Sequence, residues 1–267
     1  MKGTTPRSFF AFILALLIVF SGHDLALAQT PTNSRLPIPP VATVLTLTGL
    51  NFNLTNYMPE VFRGRFNRPP YRIIQVHYPA SISAQTISKG VLALDQALRA
   101  TPGPVIVLAH SQGAQVASRW MREHADDVTA PGPDRVMFIL LGNPLRSFGG
   151  YGIGHREFGG TMGEPTPTTT PWTVVDVARR YDGWADWPAD DGNQLAARNA
   201  TIGKRTYHTH YNEVDLDNPA HTVWKSGNTT FVLTQETLPL WRFGLKPPVW
   251  KQQKSVAIVE SAYNRPH

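Results

Sequence analysis

The stretch PVIVLAHSQGAQVASRWMRE, Pro104 to Glu123, decides how this chain folds. Its first seven residues are almost wholly apolar and rich in β-branched side chains, as in a short strand covered on both faces. From Gln112 onward, Val116, Ala117, Trp120 and Met121 fall on one helical face. Strand therefore passes to helix across a single serine, Ser111. Such a joint lifts a side chain above the sheet, next to a helix N-terminus whose free N–H groups and dipole favour developing negative charge. AHSQG nearly spells G-x-S-x-G, with Ala109 at the first glycine position and Gly113 at the second. Ala109 adds only a methyl, which weakens the motif without excluding it. The competing reading is a serine that merely caps the helix.

The flanking segments repeat the alternation. VATVLTLTGL, Val41 to Leu50, predicts a buried strand ending at Gly49, and YRIIQVHYPA, Tyr71 to Ala80, a second strand stopped by Pro79. Between Ser83 and Ala100, the spacing of Ile87, Val91, Leu94 and Leu98 predicts a helix with one apolar stripe. RVMFILLGNP predicts a fourth strand, and Thr173 to Tyr181 a fifth. Strands alternating with helices imply an α/β fold, a mostly parallel central sheet with helices on both faces. No internal repeat or second domain boundary interrupts it. The stretch between Asn143 and Trp172 is rich in Gly, Pro and Thr and reads as a long loop able to cover a cleft.

With 267 residues, 42% hydrophobic and 16% charged, the chain suits one globular domain. Lys2 and Arg7 precede FFAFILALLIVF, and Ala26-Leu27-Ala28 follows. A basic start, an apolar run too short to span comfortably and an A-x-A site predict a signal peptide over residues 1–28, cleaved after Ala28. An uncleaved anchor is the alternative. Residues 29–41 form a Pro-rich linker, leaving 42–267 as the folded domain. The net charge of +6 favours loose association with anionic envelope surfaces, whereas the lack of any Lys/Arg run argues against nucleic acid. The absence of cysteine excludes thiol catalysis, cysteine metal sites and disulfides.

A serine is a poor nucleophile unless a base takes its proton, and the base needs an orienting carboxylate. In this fold the order along the chain is Ser, acid, His. Asp182 lies where the fifth strand ends, at the sheet edge that carries active-site groups, and is preferred; Asp186, four residues on, is its rival. His208 and His210 in YHTHY are the candidate bases, pointing to one side if that segment is extended. His221 reads as a surface-turn residue, His267 is the chain end, and His110 packs beside the elbow. His208 and His210 lack a third metal-ligand pattern, so no metal and no cofactor is expected. One oxyanion donor is the N–H of Gln112; the other comes from the loop Thr48 to Leu50, where Gly49 permits close approach. Trp172, Trp184 and Trp187 are candidate cleft residues with ordinary packing as their alternative.

LGNPLRSFGG, RRYDGWADWP, HTHY, GNTTFVLTQETLPL and ESAYNRP, in this order, resemble the PE-PPE domain of mycobacteria and relatives, a family similar to cutinases and other serine α/β-hydrolases. The resemblance runs from about Ala42 to Pro266. It implies a Ser-Asp-His triad, esterase activity on acyl esters and, in some members, acyl transfer onto cell-envelope glycolipids. The nucleophile then falls on Ser111. YDGWAD resembles the family's Tyr-Asp-x-x-Ala-Asp, with Asp182 as the acid, and H-x-x-Y falls on His208 and Tyr211, favouring His208 over His210. Ala109 is the main departure, and a leader stands where the family carries PE or PPE helical modules. The expectation is an exported, monomeric serine esterase or acyltransferase acting on an acyl ester or glycolipid. The alternative is a catalytically inactive envelope-binding protein with the same fold.

Overall fold

The computed structural model describes residues 36–157, 160–242 and 247–266. The leader expected over 1–28, the first part of the linker and His267 lie outside the described residues. The chain runs β1 (Thr43–Leu47), a one-turn α1 (Val61–Gly64), β2 (Arg72–Gln75), α2 (Thr86–Ala100), β3 (Val105–His110) and α3 (Gln112–Glu123). β4 (Val136–Leu141) follows, then a small separate antiparallel pair, β5 (Arg156–Glu157) and β6 (Gly160–Thr161). The second half holds β7 (Thr173–Ala178), α4 (Gln194–Thr206), β8 (Thr222–Ser226), β9 (Thr229–Leu233) and α5 (Val249–Glu260).

Seven strands pair in the order β2-β1-β3-β4-β7-β9-β8, and every neighbouring pair is parallel except β8 with β9. This is the α/β-hydrolase-like sheet expected from the alternation. All six residues of β3 and all six of β4 are buried, as their unbroken apolar composition requires. One face packs Leu45, Val107 and Phe138 against the α2 stripe of Val91, Leu94 and Leu98 and the α3 residues Val116, Trp120 and Met121. The opposite face, with Val44, Ile106 and Ile139, lies under Met58, Phe62, Phe66, Tyr211 and Val214, which come from short turns rather than long helices.

The expected strands are present with trimmed ends. β2 stops at Gln75 instead of Ala80. Val76 still donates to the Thr46 carbonyl, but Pro79 has no N–H and Ala80 takes a φ of 46°, so the chain leaves the sheet. β7 stops at Ala178 because the chain turns sharply through Tyr181, whose φ is 65°. From β1 the chain steps to β2 on one side and then crosses to β3 on the other. The loops leaving β1 and β3 therefore diverge, and such a switch point opens a crevice beyond the C-terminal strand ends.

Candidate active site

Ser111 sits in that crevice with φ 54° and ψ −113°, a conformation that costs on the order of 1–3 kcal/mol for a residue with a side chain. Its neighbours hold it there. The Ser111 N–H still donates to the Leu141 carbonyl of β4, while its own carbonyl accepts the first bonds of α3 from Ala114 and Gln115. The serine is thus the last residue tied to the sheet and the first tied to the helix. Gly113 is required: a Cβ there would lie 2.6 Å from the Leu47 carbonyl oxygen and 2.8 Å from that of Thr48. Ala109 is fully buried on the α2/α3 face, where its methyl belongs to the core. The hydroxyl of Ser111 makes no capping bond to α3. It lies 2.8 Å from His208 Nε2 instead.

His208 follows the end of α4 and is buried. Its Nδ1 lies 3.0 Å from both oxygens of Asp182. Asp182 is completely buried and also accepts the Tyr211 hydroxyl at 2.8 Å and the Trp184 N–H at 3.0 Å. Burial alone raises its pKa, but the neighbouring His208 and these hydrogen bonds outweigh it and hold the carboxyl below the usual carboxylate range. The Tyr211 hydroxyl accepts the Arg179 N–H in turn, and burial with the nearby Asp182 pushes its pKa well up, so it remains a donor. One surface of the fold therefore gathers Ser111, His208 and Asp182 into a single hydrogen-bonded line.

The rival residues face elsewhere. The Asp186 carboxylate takes the Tyr181 N–H at 2.6 Å and the Arg265 guanidinium at 2.5 and 3.0 Å, which braces the turn that presents Asp182. His210 does not share a side with His208, because the segment is not extended: α4 ends at Thr206 and a 3₁₀ turn begins at Tyr211. The His210 ring bonds the Thr209 hydroxyl, and its carbonyl accepts from Arg179. Among the described residues no His, Asp and Glu cluster could hold a metal ion. Trp172 is core, donating to the Pro131 carbonyl, and Trp187 packs on Tyr151. Of the three, only Trp184 lines the crevice.

Gly49 departs from its expected role. Its N–H donates to the Tyr57 hydroxyl at 2.6 Å and is not available to an oxyanion. The next amide, Leu50, has no hydrogen-bond partner among the described residues and lies on the crevice wall with Gln112, whose N–H is likewise unpaired at the start of α3. The Gln112 side chain is tied back to the Ser81 carbonyl at 2.9 Å. Tyr57 escaped the sequence reading because it belongs to no motif. Its ring stands edge-on to His110 and its hydroxyl is 2.6 Å from His110 Nδ1.

The crevice encloses about 670 Å³. Leu50, Ile82, Ile87 and Met162 line it with apolar surface, while Gln115, Lys204 and Thr209 supply polar groups. Pro144 and Met162 come from the long loop expected to cover a cleft. No helix among the described residues is long and apolar enough to cross a membrane.

The PE-PPE domain family model matches residues 69–247. Esterase PE16 of Mycobacterium tuberculosis is 34% identical over 178 residues, covering 61% of this chain and 34% of that protein. SL1278 acyltransferase Chp1 of the same organism is 29% identical over 209 residues, covering 69% of this chain and 50% of that protein. The chain spans half or less of the length of these two curated relatives. Among solved structures, a cutinase-like protein from Cryptococcus sp. is 17% identical and covers 55% of this chain and 80% of its own, with a TM-score of 0.38.

Proposed function

The chain belongs to the PE-PPE domain family, and from that membership we propose that it is a serine esterase or acyltransferase acting on acyl esters, including envelope glycolipids. The observation that carries this reading is the Ser111 hydroxyl 2.8 Å from His208 Nε2, with Asp182 3.0 Å from Nδ1. In the proposed reaction Ser111 Oγ attacks the ester carbonyl while its proton passes to His208 Nε2. The N–H groups of Gln112 and Leu50 receive the oxyanion. Collapse expels the alcohol, which leaves with the proton from His208, and Ser111 keeps the acyl group. Water or a sugar hydroxyl then attacks the acyl group while its proton passes to His208; collapse breaks the bond to Ser111 Oγ, and His208 returns the proton to that oxygen, restoring the serine. Asp182 holds the Nδ1–H tautomer and stabilises the imidazolium throughout. The apolar wall of Leu50, Ile82 and Ile87 suits an acyl chain.

Export by a cleaved leader, a folded domain over 42–267 and a monomeric state complete the proposal. Peripheral association with anionic envelope surfaces rests on the basic balance of the chain, +6 in full and +5 once Lys2, Arg7 and Asp24 leave with the leader. A fluorophosphonate probe tests the chemistry. The purified protein should be labelled, and Ser111→Ala should abolish the label; a wild type that stays unlabelled would sink the enzymatic reading and leave the inactive envelope-binding alternative. Incubating an acyl donor with trehalose then separates transfer from hydrolysis, since only transfer yields acylated sugar.

A further inference from the structure

His110 is a buried imidazole that the proposed reaction does not use. It ends β3, directly before the nucleophile, and its ring lies against those of His208 and Tyr211, with centroids 4.8 and 5.5 Å away. Its Nε2 is 2.9 Å from the backbone carbonyl of His208. A carbonyl can only accept, so Nε2 carries the proton and Nδ1 offers a lone pair. The group 2.6 Å from Nδ1 is the Tyr57 hydroxyl, which must then donate. The Tyr57 oxygen accepts the Gly49 N–H. A single carbonyl thus orients every proton in a string from Gly49 through Tyr57 and His110 to the backbone of His208.

We infer that His110 and Tyr57 are positioning residues for the reaction at Ser111. One end of the string fixes the backbone that carries the base. The other fixes the Thr48–Gly49 peptide, directly before Leu50, which lines the crevice. A shift of about 1 Å at either end costs on the order of a hundredfold in rate. The string keeps its polarity over a wide pH range. Burial, with the nearby His208, lowers the His110 pKa to about 3, although Asp182 opposes this. Burial raises that of Tyr57 to about 12, against the hydrogen bond from Gly49. The titratable groups facing His110 are His208, Asp182, Tyr57 and Tyr211.

The inference rests on the proposed serine chemistry and is tested on a soluble short-chain ester. Tyr57→Phe keeps the ring and removes only the hydroxyl. It should lower kcat about tenfold, with KM and the thermal midpoint little changed. His110→Phe breaks both bonds and should lower kcat about a hundredfold. His110→Gln, whose amide nitrogen can still donate to the His208 carbonyl, should recover much of that loss. Tyr57→Phe with kcat within twofold of wild type would overturn the inference, as would equal losses in His110→Gln and His110→Phe. If His110→Phe does not fold, Tyr57→Phe decides. A wild type that neither turns over ester nor takes a fluorophosphonate label would instead remove the proposed function itself.

Discussion

At the scale of single residues, two carboxylates four positions apart do different work. Asp182 touches His208, and Asp186 braces the turn through Tyr181 and Arg265. Asp182→Asn should reduce kcat by about ten-thousandfold, through the wrong imidazole tautomer. Asp186→Asn should cost at most about 3 kcal/mol, seen in urea unfolding, because Glu260 still pairs with Arg265. The reverse pattern would exchange their roles. The order Ser, acid, His was legible from chain order and the elbow motif, whereas the choice of His208 over His210 came from the H-x-x-Y of the family resemblance. Tyr57 was not legible, since only the folded chain brings it to Gly49 and His110. His110 also predicts a pH effect. The unfolded chain takes up its proton near the ordinary imidazole value of 6.5, and the folded chain only near 3. Stability is therefore full above about 6.5 and falls as pH drops through that window, by up to about 1.4 kcal/mol per pH unit. Asp182, with its depressed pKa, begins to lose its own contribution only below about pH 4, where a free carboxyl protonates. Urea midpoints between pH 6.5 and 5.5 read His110 before Glu213 and Glu260, whose carboxyls are held low in the fold, begin to protonate in the unfolded chain; His110→Gln should flatten the slope, and an unchanged slope would refute this account.

At the scale of elements, α4 matters because it delivers His208 to the turn that carries Asp182. It sits so close that a Cβ on Gly203 would come within 1.7 Å of the Tyr181 carbonyl oxygen. Gly203→Ala must push helix and turn apart. The expected loss is on the order of 2–3 kcal/mol, with a parallel drop in the fluorophosphonate labelling rate. A folded variant labelled at the wild-type rate would show that this contact does not set the site. Physical reasons separate the elements that sequence reveals from those it hides. β3, β4 and α3 bury nearly all their apolar residues, so their patterns are strong. α4 buries Ala196, Asn199, Ala200, Gly203 and Thr206, a face of small and polar residues that no apolar stripe announces. Its one clear signal is the cap, Asn193 accepting from the Ala196 N–H. α5 buries only Val259, so it has almost no periodicity to read. The β8–β9 hairpin turns at Gly227, φ 58°, within a Ser-Gly-Asn sequence that carries a usable turn signal.

At the scale of the molecule, the crevice belongs to no single element. Leu50 comes from the loop after β1, Ile82 from the loop after β2, Ile87 from α2, Met162 from the long loop and Trp184 from the acid turn. These positions share no local pattern, and only the reversal of strand order between β1 and β3 brings them to one place. The hydrogen-bonded line of Ser111, His208 and Asp182 was therefore open to sequence reasoning, and the shape of the crevice was not. That division bears on specificity. In the proposed reaction Ser111, His208 and the two amides act on the ester group alone, so any preference for acyl length must arise in the apolar wall. Ile87 is partly buried on the first turn of α2, within that wall, and takes no part in the hydrogen-bonded line. Ile87→Trp should fill the wall and lower kcat/KM for long-chain esters by about tenfold, leaving short-chain esters and fluorophosphonate labelling almost unaffected. A chain-length series of p-nitrophenyl esters reads this directly. An equal loss at every length would place the acyl chain elsewhere, on the side of Trp184 and Thr209.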